Sequence, residues 1–216
     1  MQNKRREHLK HWLRIYGVAA TGSITQIRNA LATDWPVTQG MQVIKGFVEI
    51  NGNPAKHGAM ISPGDTVTTG QEAVAVYVMG KDAFLQRGST ETVFGHESQR
   101  FLRVITGKLL SVFGPGEKTI HVPTATIGIR GTACYIEATT NRTYFCLCYG
   151  TAEVTPLIAP DHKTTYSTQH HDHPIYIDND PKMPTGMVGA EVINHWDAEL
   201  EMLEALQGRK PDFGKY

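Results

Sequence analysis

The sequence predicts a mainly β domain, built as a β-sandwich, a roll or a short solenoid, with one helix packed on it near the C-terminus. Three observations carry this. Runs rich in β-formers recur roughly every ten residues, divided by turn residues. The 216 residues include 21 glycines and 11 prolines, a turn-rich balance suited to many short strands. One stretch near the end has apolar residues at helical spacing.

The first 32 residues read in two ways. Lys4-Arg5-Arg6-Glu7-His8-Leu9-Lys10 resembles a twin-arginine export motif, Ile15 to Ala20 is a modest apolar stretch, and Ala30-Leu31-Ala32 has the small-x-small form of a cleavage site. On that reading the mature chain begins at Thr33 and is periplasmic or otherwise exported. Arg14 and Arg28 interrupt the pattern, and the other reading is a basic amphipathic helix over Lys4 to Tyr16 in a cytoplasmic protein.

Residues 38–154 read as the β domain. Gln42 to Ile50 alternates apolar and polar residues, and Asn51-Gly52-Asn53-Pro54 turns the chain. Pro63-Gly64-Asp65 opens a second turn into Thr66 to Thr69. Glu72 to Met79 is a buried strand and Ala83 to Gln86 the next. Phe101 to Ile105 and Lys108 to Phe113 flank Thr106-Gly107, a hairpin signal. Lys118 to Val122, Ile127 to Ile129, Thr132 to Ala138 and Thr143 to Tyr149 complete the region. Residues 155–189 read as a proline-spaced wrapping segment with short strands at Lys163 to Ser167 and Ile175 to Ile177. Residues 190–208 hold the helix: Trp196, Leu200, Leu203 and Leu206 form its apolar stripe, Asn194 its N-cap with Asp197 three residues on, and Gly208 its stop.

Composition narrows the function. Lys+Arg and Asp+Glu both number 21, so the net charge is zero and nothing electrostatic favours nucleic acid or an anionic membrane. No apolar run is long enough for a transmembrane helix. Nucleophile elbows, phosphate loops, dinucleotide fingerprints and zincin motifs are absent from the sequence, which points to a non-enzyme.

Two clusters could carry chemistry. Cys134, Cys146 and Cys148 are the chain's only cysteines. A turn centred near Thr140 sets Cys134 opposite Cys146, and period-two alternation puts all three on one face. Cross-strand neighbours, about 4.5–5.5 Å apart at Cα, suit a disulfide; three thiolates with one imidazole suit a structural zinc site; inert buried thiols are the third possibility. His170-His171-Asp172-His173 is the second cluster. Adjacent residues of an extended chain point opposite ways, so His171 and His173, or His170 and Asp172, share a face. The metal alternative is therefore Cys134, Cys146 and Cys148 with His171 or His173, holding zinc or another transition metal; the disulfide alternative needs no cofactor. His195 reads as a capping or surface residue. A redox thiol at Cys146 or Cys148 is a further alternative and needs an accessible, electropositive setting, from Arg130 or Arg142.

The segment TATIGIRGTACYIE, followed by a return strand ending YGTAEV, resembles the core of the FecR domain. GFVEINGNPAKHGAMISPGDTVTTGQEAVAVYVMG, Gly46 to Gly80, resembles its upstream part, and the likeness covers about Thr38 to Val154. The Cys-x-Cys strand, the His-rich segment and the Asn194–Leu200 tail resemble a stand-alone bacterial subgroup rather than the transmembrane regulators. The resemblance implies a binding, sensing or structural module of the bacterial envelope, with an envelope protein or small ligand as partner. Gly128, Arg130, Gly131 and Thr132 would be its structural motif: glycines for a bulge or close backbone approach, and Arg130 to satisfy strand ends and carboxylates.

Overall fold

A computed structural model describes residues 39–96, 101–182 and 185–213. The segment read as an export signal or amphipathic helix lies outside the described residues. In chain order the elements are β1 (Gly40–Lys45), β2 (Val48–Ile50), β3 (Asn53–Pro54), β4 (Thr66–Thr69), β5 (Val74–Met79), β6 (Asp82–Gln86), β7 (Thr90–Phe94), β8 (Leu102–Val112), β9 (Glu117–Val122), β10 (Ala125–Ala138), β11 (Arg142–Pro156), β12 (Thr164–Thr168), β13 (Ile175–Asp178), β14 (Met187–Gly189) and α1 (Asp197–Leu206).

The strands form one sheet, mainly antiparallel and not closed into a barrel. Its main path runs β14-β13-β11-β10-β9-β8-β7-β4-β2-β3; β6 attaches β5 and β1 to β8, and β12 pairs with β11. The wrapping segment thus contributes β12, β13 and β14 to the sheet.

Three long strands organise it, and each changes neighbours partway. The first half of β8 pairs with β7, the second with β6 and β10. β10 pairs first with β9, then with β8. β11 pairs first with β13, then with β12. The hairpin expected at Thr106-Gly107 is instead continuous strand. Gly107 has φ 94°, which bends β8 without reversing it. A Cβ there would lie 2.4 Å from the Cα of Thr90, so only glycine lets the strands approach this closely. Thr90 Oγ1 accepts the Lys108 N–H at 2.7 Å beside the bend.

The register of β10 and β11 corrects the one-face reading of the cysteines. Ala138 pairs with Thr143, and Thr139 N–H donates to the Arg142 carbonyl at 2.9 Å, so the turn is centred between Thr140 and Asn141. That half-residue shift puts Cys134 opposite Leu147, and Tyr135 opposite Cys146. A register slip of one residue exchanges faces. The register shifts again between Arg130 and Ala133, around Gly131 and Thr132, while Gly128 sits in regular ladder opposite Glu153 and Thr119.

Both faces of the central strands are buried. The inner face carries the larger core, including Tyr77, Phe84, Phe94, Leu109, Ile127, Cys134, Ile136, Phe145 and Leu147. The outer face carries Leu85, Leu110, Val112, Tyr135, Tyr144, Cys146, Cys148 and Tyr149, covered by Leu200, Leu203 and Leu206 of α1. Tyr149 also donates from its hydroxyl to buried Glu204, which accepts from Arg209 at 2.5 Å.

Helix α1 begins later than the sequence suggested. Glu199 Oε2, not Asp197, accepts a terminal N–H, that of Trp196, at 3.2 Å, and Arg87 pairs with Glu199 at 2.9 Å. Trp196 is 63% exposed and so leaves the apolar stripe. The preceding residues stay out of the helix because the sheet holds them: Tyr144 donates to the Glu191 carbonyl at 3.0 Å and its oxygen accepts the Ile193 N–H at 3.3 Å. This non-helical run lays His195 over the outer face.

Candidate metal centre

Four side chains from three separate segments meet on the outer face. Cys146 and Cys148 stand two apart on β11 and so share its outward side. His171 arrives from the loop after β12. Pairing with β11 brings β12 back to Thr168, opposite Gly150. The loop then docks on β11, with His171 N–H donating to the Cys148 carbonyl at 3.0 Å. Asp172 shapes the loop by accepting the Gln169 N–H at 2.8 Å. His195 comes from the non-helical run before α1 and stacks on Tyr135, ring centroids 4.6 Å apart. Its position over Tyr135 follows from the register, since Tyr135 lies opposite Cys146.

The ligand atoms of Cys146, Cys148, His171 and His195 all lie within 4.8 Å of one another. His171 Nδ1 is 3.4 Å from Cys146 Sγ and 3.0 Å from His195 Nε2. A tetrahedral zinc ion with ordinary bond lengths separates its ligands by about 3.3 Å between nitrogens and about 3.6 Å between nitrogen and sulfur. The His171–Cys146 and His171–His195 pairs already stand near those spacings, and every other pair lies within 4.8 Å.

Outer partners fix which ring nitrogens face inward. His195 Nδ1–H donates to the Ile193 carbonyl at 2.6 Å, leaving the Nε2 lone pair free. His171 Nε2–H donates to Asp197 Oδ1 at 3.1 Å, leaving the Nδ1 lone pair free. Two lone pairs 3.0 Å apart repel unless a cation or proton lies between them. A carboxylate or carbonyl behind each histidine is the usual support of a metal-binding imidazole. Backbone strain clusters here as well: His171 has φ 53° and Asn194, next to His195, has φ 56°.

The electrostatics agree. The Cys148 hydrogen bond holds the Cys146 thiol well below its usual range, with His171 and His195 adding to the effect against burial. Burial pushes the Cys148 thiol up. Burial also opposes charge on His171, but Cys146 and Asp197 outweigh it and raise its pKa. Without a metal the pocket therefore holds a thiolate, a thiol and a proton-hungry imidazole. A dication with two thiolates is neutral overall, a charge state that a buried site tolerates.

Of the residues singled out in the sequence, Cys146, Cys148 and His171 meet, and Cys134 and His173 do not. Cys134 faces the inner core, where burial raises its thiol. His173 is exposed beside Asp172. His195 is 4% exposed, so it is a buried member of the cluster and not a surface cap. Neither arginine suggested for a redox thiol reaches the sulfurs: Arg130 pairs with Glu117 and Arg142 with Asp178. All three cysteines are free and buried. Cys134→Ala is accordingly expected to cost about 1–2 kcal/mol of stability by leaving a small void. It should leave metal content unchanged, which metal analysis of the purified variant checks.

No family model and no curated protein matches the chain. Two crystal structures of a "putative anti-sigma factor" from Parabacteroides distasonis resemble it at 9% identity and a TM-score of 0.48, covering 58% of this chain and 58% of that one. The chain thus spans less than two thirds of those proteins, and a likeness at this level carries no functional conclusion. Among the described residues no helix is long and apolar enough to cross a membrane.

Proposed function

We propose that this chain is a non-enzymatic metal-binding module in which Cys146, Cys148, His171 and His195 hold one zinc ion. Its motifs suggest a FecR-type module for sensing or structural work in the bacterial envelope. The observation that carries the metal reading is the convergence of two sulfurs and two imidazole lone pairs, each ring tied off by an outer acceptor. Two thiolates and two imidazoles in a tetrahedron favour zinc over magnesium or calcium, which prefer oxygen. Four protein ligands leave no open position, which fits a structural or sensing ion better than a catalytic one. The redox-thiol alternative is disfavoured because Cys146 and Cys148 are both 0% exposed, whereas a redox thiol needs an accessible setting. Export accompanies this as a separate proposal, tested by whether protein from its own host begins at Thr33.

Cobalt titration of the metal-free chain tests the centre. Tetrahedral cobalt bands with sulfur-to-cobalt charge transfer are expected at one equivalent. Binding without thiolate bands would sink the proposal.

Metal affinity should rise with pH, because the ligands must shed protons before they bind. Near neutrality Cys146 is already deprotonated, so Cys148, with its raised pKa, supplies the proton. Each ligand proton displaced adds about a tenfold rise in affinity per pH unit, and the raised His171 pKa adds a second proton to that of Cys148 wherever the imidazole is protonated. Competition with a chelator across a pH series measures this slope, and a flat profile would exclude thiolate ligands.

A further inference from the structure

Beside the buried centre stands a second group of ligands with a different exposure. His170 Nε2 lies 3.0 and 2.9 Å from the two oxygens of Asp197, and His171 Nε2 lies 3.1 Å from Oδ1. These ligand atoms also lie within 4.8 Å of one another. His171 belongs to both groups: its Nδ1 faces the cysteines and its Nε2 faces Asp197. Side-chain exposure falls along the row, from 46% at Asp197 and 33% at His170 to 8% at His171. At the buried end, His195 is 4% exposed and both cysteines are 0%.

We propose that His170, Asp197 and the Nε2 edge of His171 form a loading port, a solvent-facing site where a transition-metal ion is captured before it passes to the buried centre. The proposal rests on the metal reading of that centre. Two imidazoles and a carboxylate are good ligands for zinc or a similar ion, and three protein ligands leave positions for the waters that an arriving ion still carries. Both cysteines are 0% exposed, so a hydrated ion has no direct approach to the sulfurs. Capture at the port would replace its waters in two stages.

The transfer balances at the shared ring. An ion at the port takes the Nε2 lone pair while Nδ1 carries the proton. On moving inward the bonds to His170, Asp197 and His171 Nε2 break, and bonds to His171 Nδ1, His195 and both sulfurs form; Nδ1 and the Cys148 thiol each lose a proton, one proton returns to Nε2, whose N–H then donates a hydrogen bond to Asp197, and the net release is one proton. The ring stays neutral, and one ion occupies either site but not both through His171. Asp197 changes from ligand to hydrogen-bond acceptor, the role seen here.

The rate of metal movement tests the port. Zinc-loaded full-length chain is mixed with excess chromogenic chelator and release is followed; the metal-free chain is mixed with cobalt and the rise of the thiolate band is followed. His170→Ala is expected to slow both by roughly tenfold, with the equilibrium affinity unchanged, because a port speeds both directions equally. His170→Gln, which keeps the bulk and removes the imidazole, should do the same. His173→Ala, a neighbouring exposed histidine outside the group, should leave both rates unchanged. Wild-type rates in both His170 variants would overturn the port and leave the buried centre standing. So would equal slowing in His173→Ala, or a loss of affinity matching the loss of rate. If the wild-type chain never develops a thiolate band, the centre itself is wrong and the port falls with it.

Discussion

The Cys146→Ser chain is expected to carry no zinc and to melt about 8–16 °C lower than the zinc-loaded wild type. An ion present at a thousand times its dissociation constant stabilises the folded state by about 4 kcal/mol, and a domain of this size shifts by about 2–4 °C per kcal/mol. An ion held by the four proposed ligands would join β11 to the loop after β12 and to the run before α1, so its loss should loosen the C-terminal arm first. Calorimetry with and without chelator separates the metal from the packing. Chelated wild type and Cys146→Ser should melt together, because the substitution removes one sulfur and little volume. A variant melting far below the chelated wild type would mean that Cys146 works as core packing, and the metal reading would lose its main support.

The strand-rich class and most strands were legible from alternation and turn residues. The strand Thr66–Thr69 has the bounds its residues predict, and the strands predicted at Lys118–Val122 and Ile175–Ile177 are each one residue longer. The strand β7 went unread because Thr90, Glu91 and Thr92 are polar, although Thr90 and Thr92 are buried. Their hydroxyls find partners in Lys108 and Gln86, a long-range arrangement that no local pattern encodes.

At the site, the residue types were legible and their grouping was not. Period two assigns faces within one strand, but the face of Cys134 relative to Cys146 depends on the centre of the turn, and half a residue reversed it. His170 and His171 reach one carboxylate because His171 adopts a left-handed backbone, which the extended-chain rule does not anticipate. His195 sits in the sequence Asn194-His195-Trp196-Asp197, which resembles a helix start. The hydroxyl of Tyr144, by holding the preceding run out of the helix, helps turn it into a ligand position. The alternation of His195 and Asp197 was the available signal, since it offers one ligand and one supporting carboxylate, but only the fold brings it beside His170 and His171.

Gly107→Val should be the most damaging substitution in the sheet, costing about 4 kcal/mol or more. Two effects combine. A β-branched residue at φ 94° is strained by about 1–3 kcal/mol. Its Cβ would also lie 2.4 Å from the Cα of Thr90 and 2.5 Å from the Ser89 carbonyl oxygen, backbone atoms that cannot swing away, and overpacking adds about 1–3 kcal/mol. Gly116→Val is the control. Gly116 has φ 118° with nothing within 4 Å of an added Cβ, so it should show the strain alone. Denaturant unfolding of both variants measures the difference, and equal losses would mean that the close approach at Thr90 contributes nothing. The bend also matters for the metal centre. It divides β8 so that residues 107–112 pair with residues 133–138 of β10, the stretch that carries Tyr135 beneath His195. Straightening β8 would shift that floor, and the four ligands could no longer meet.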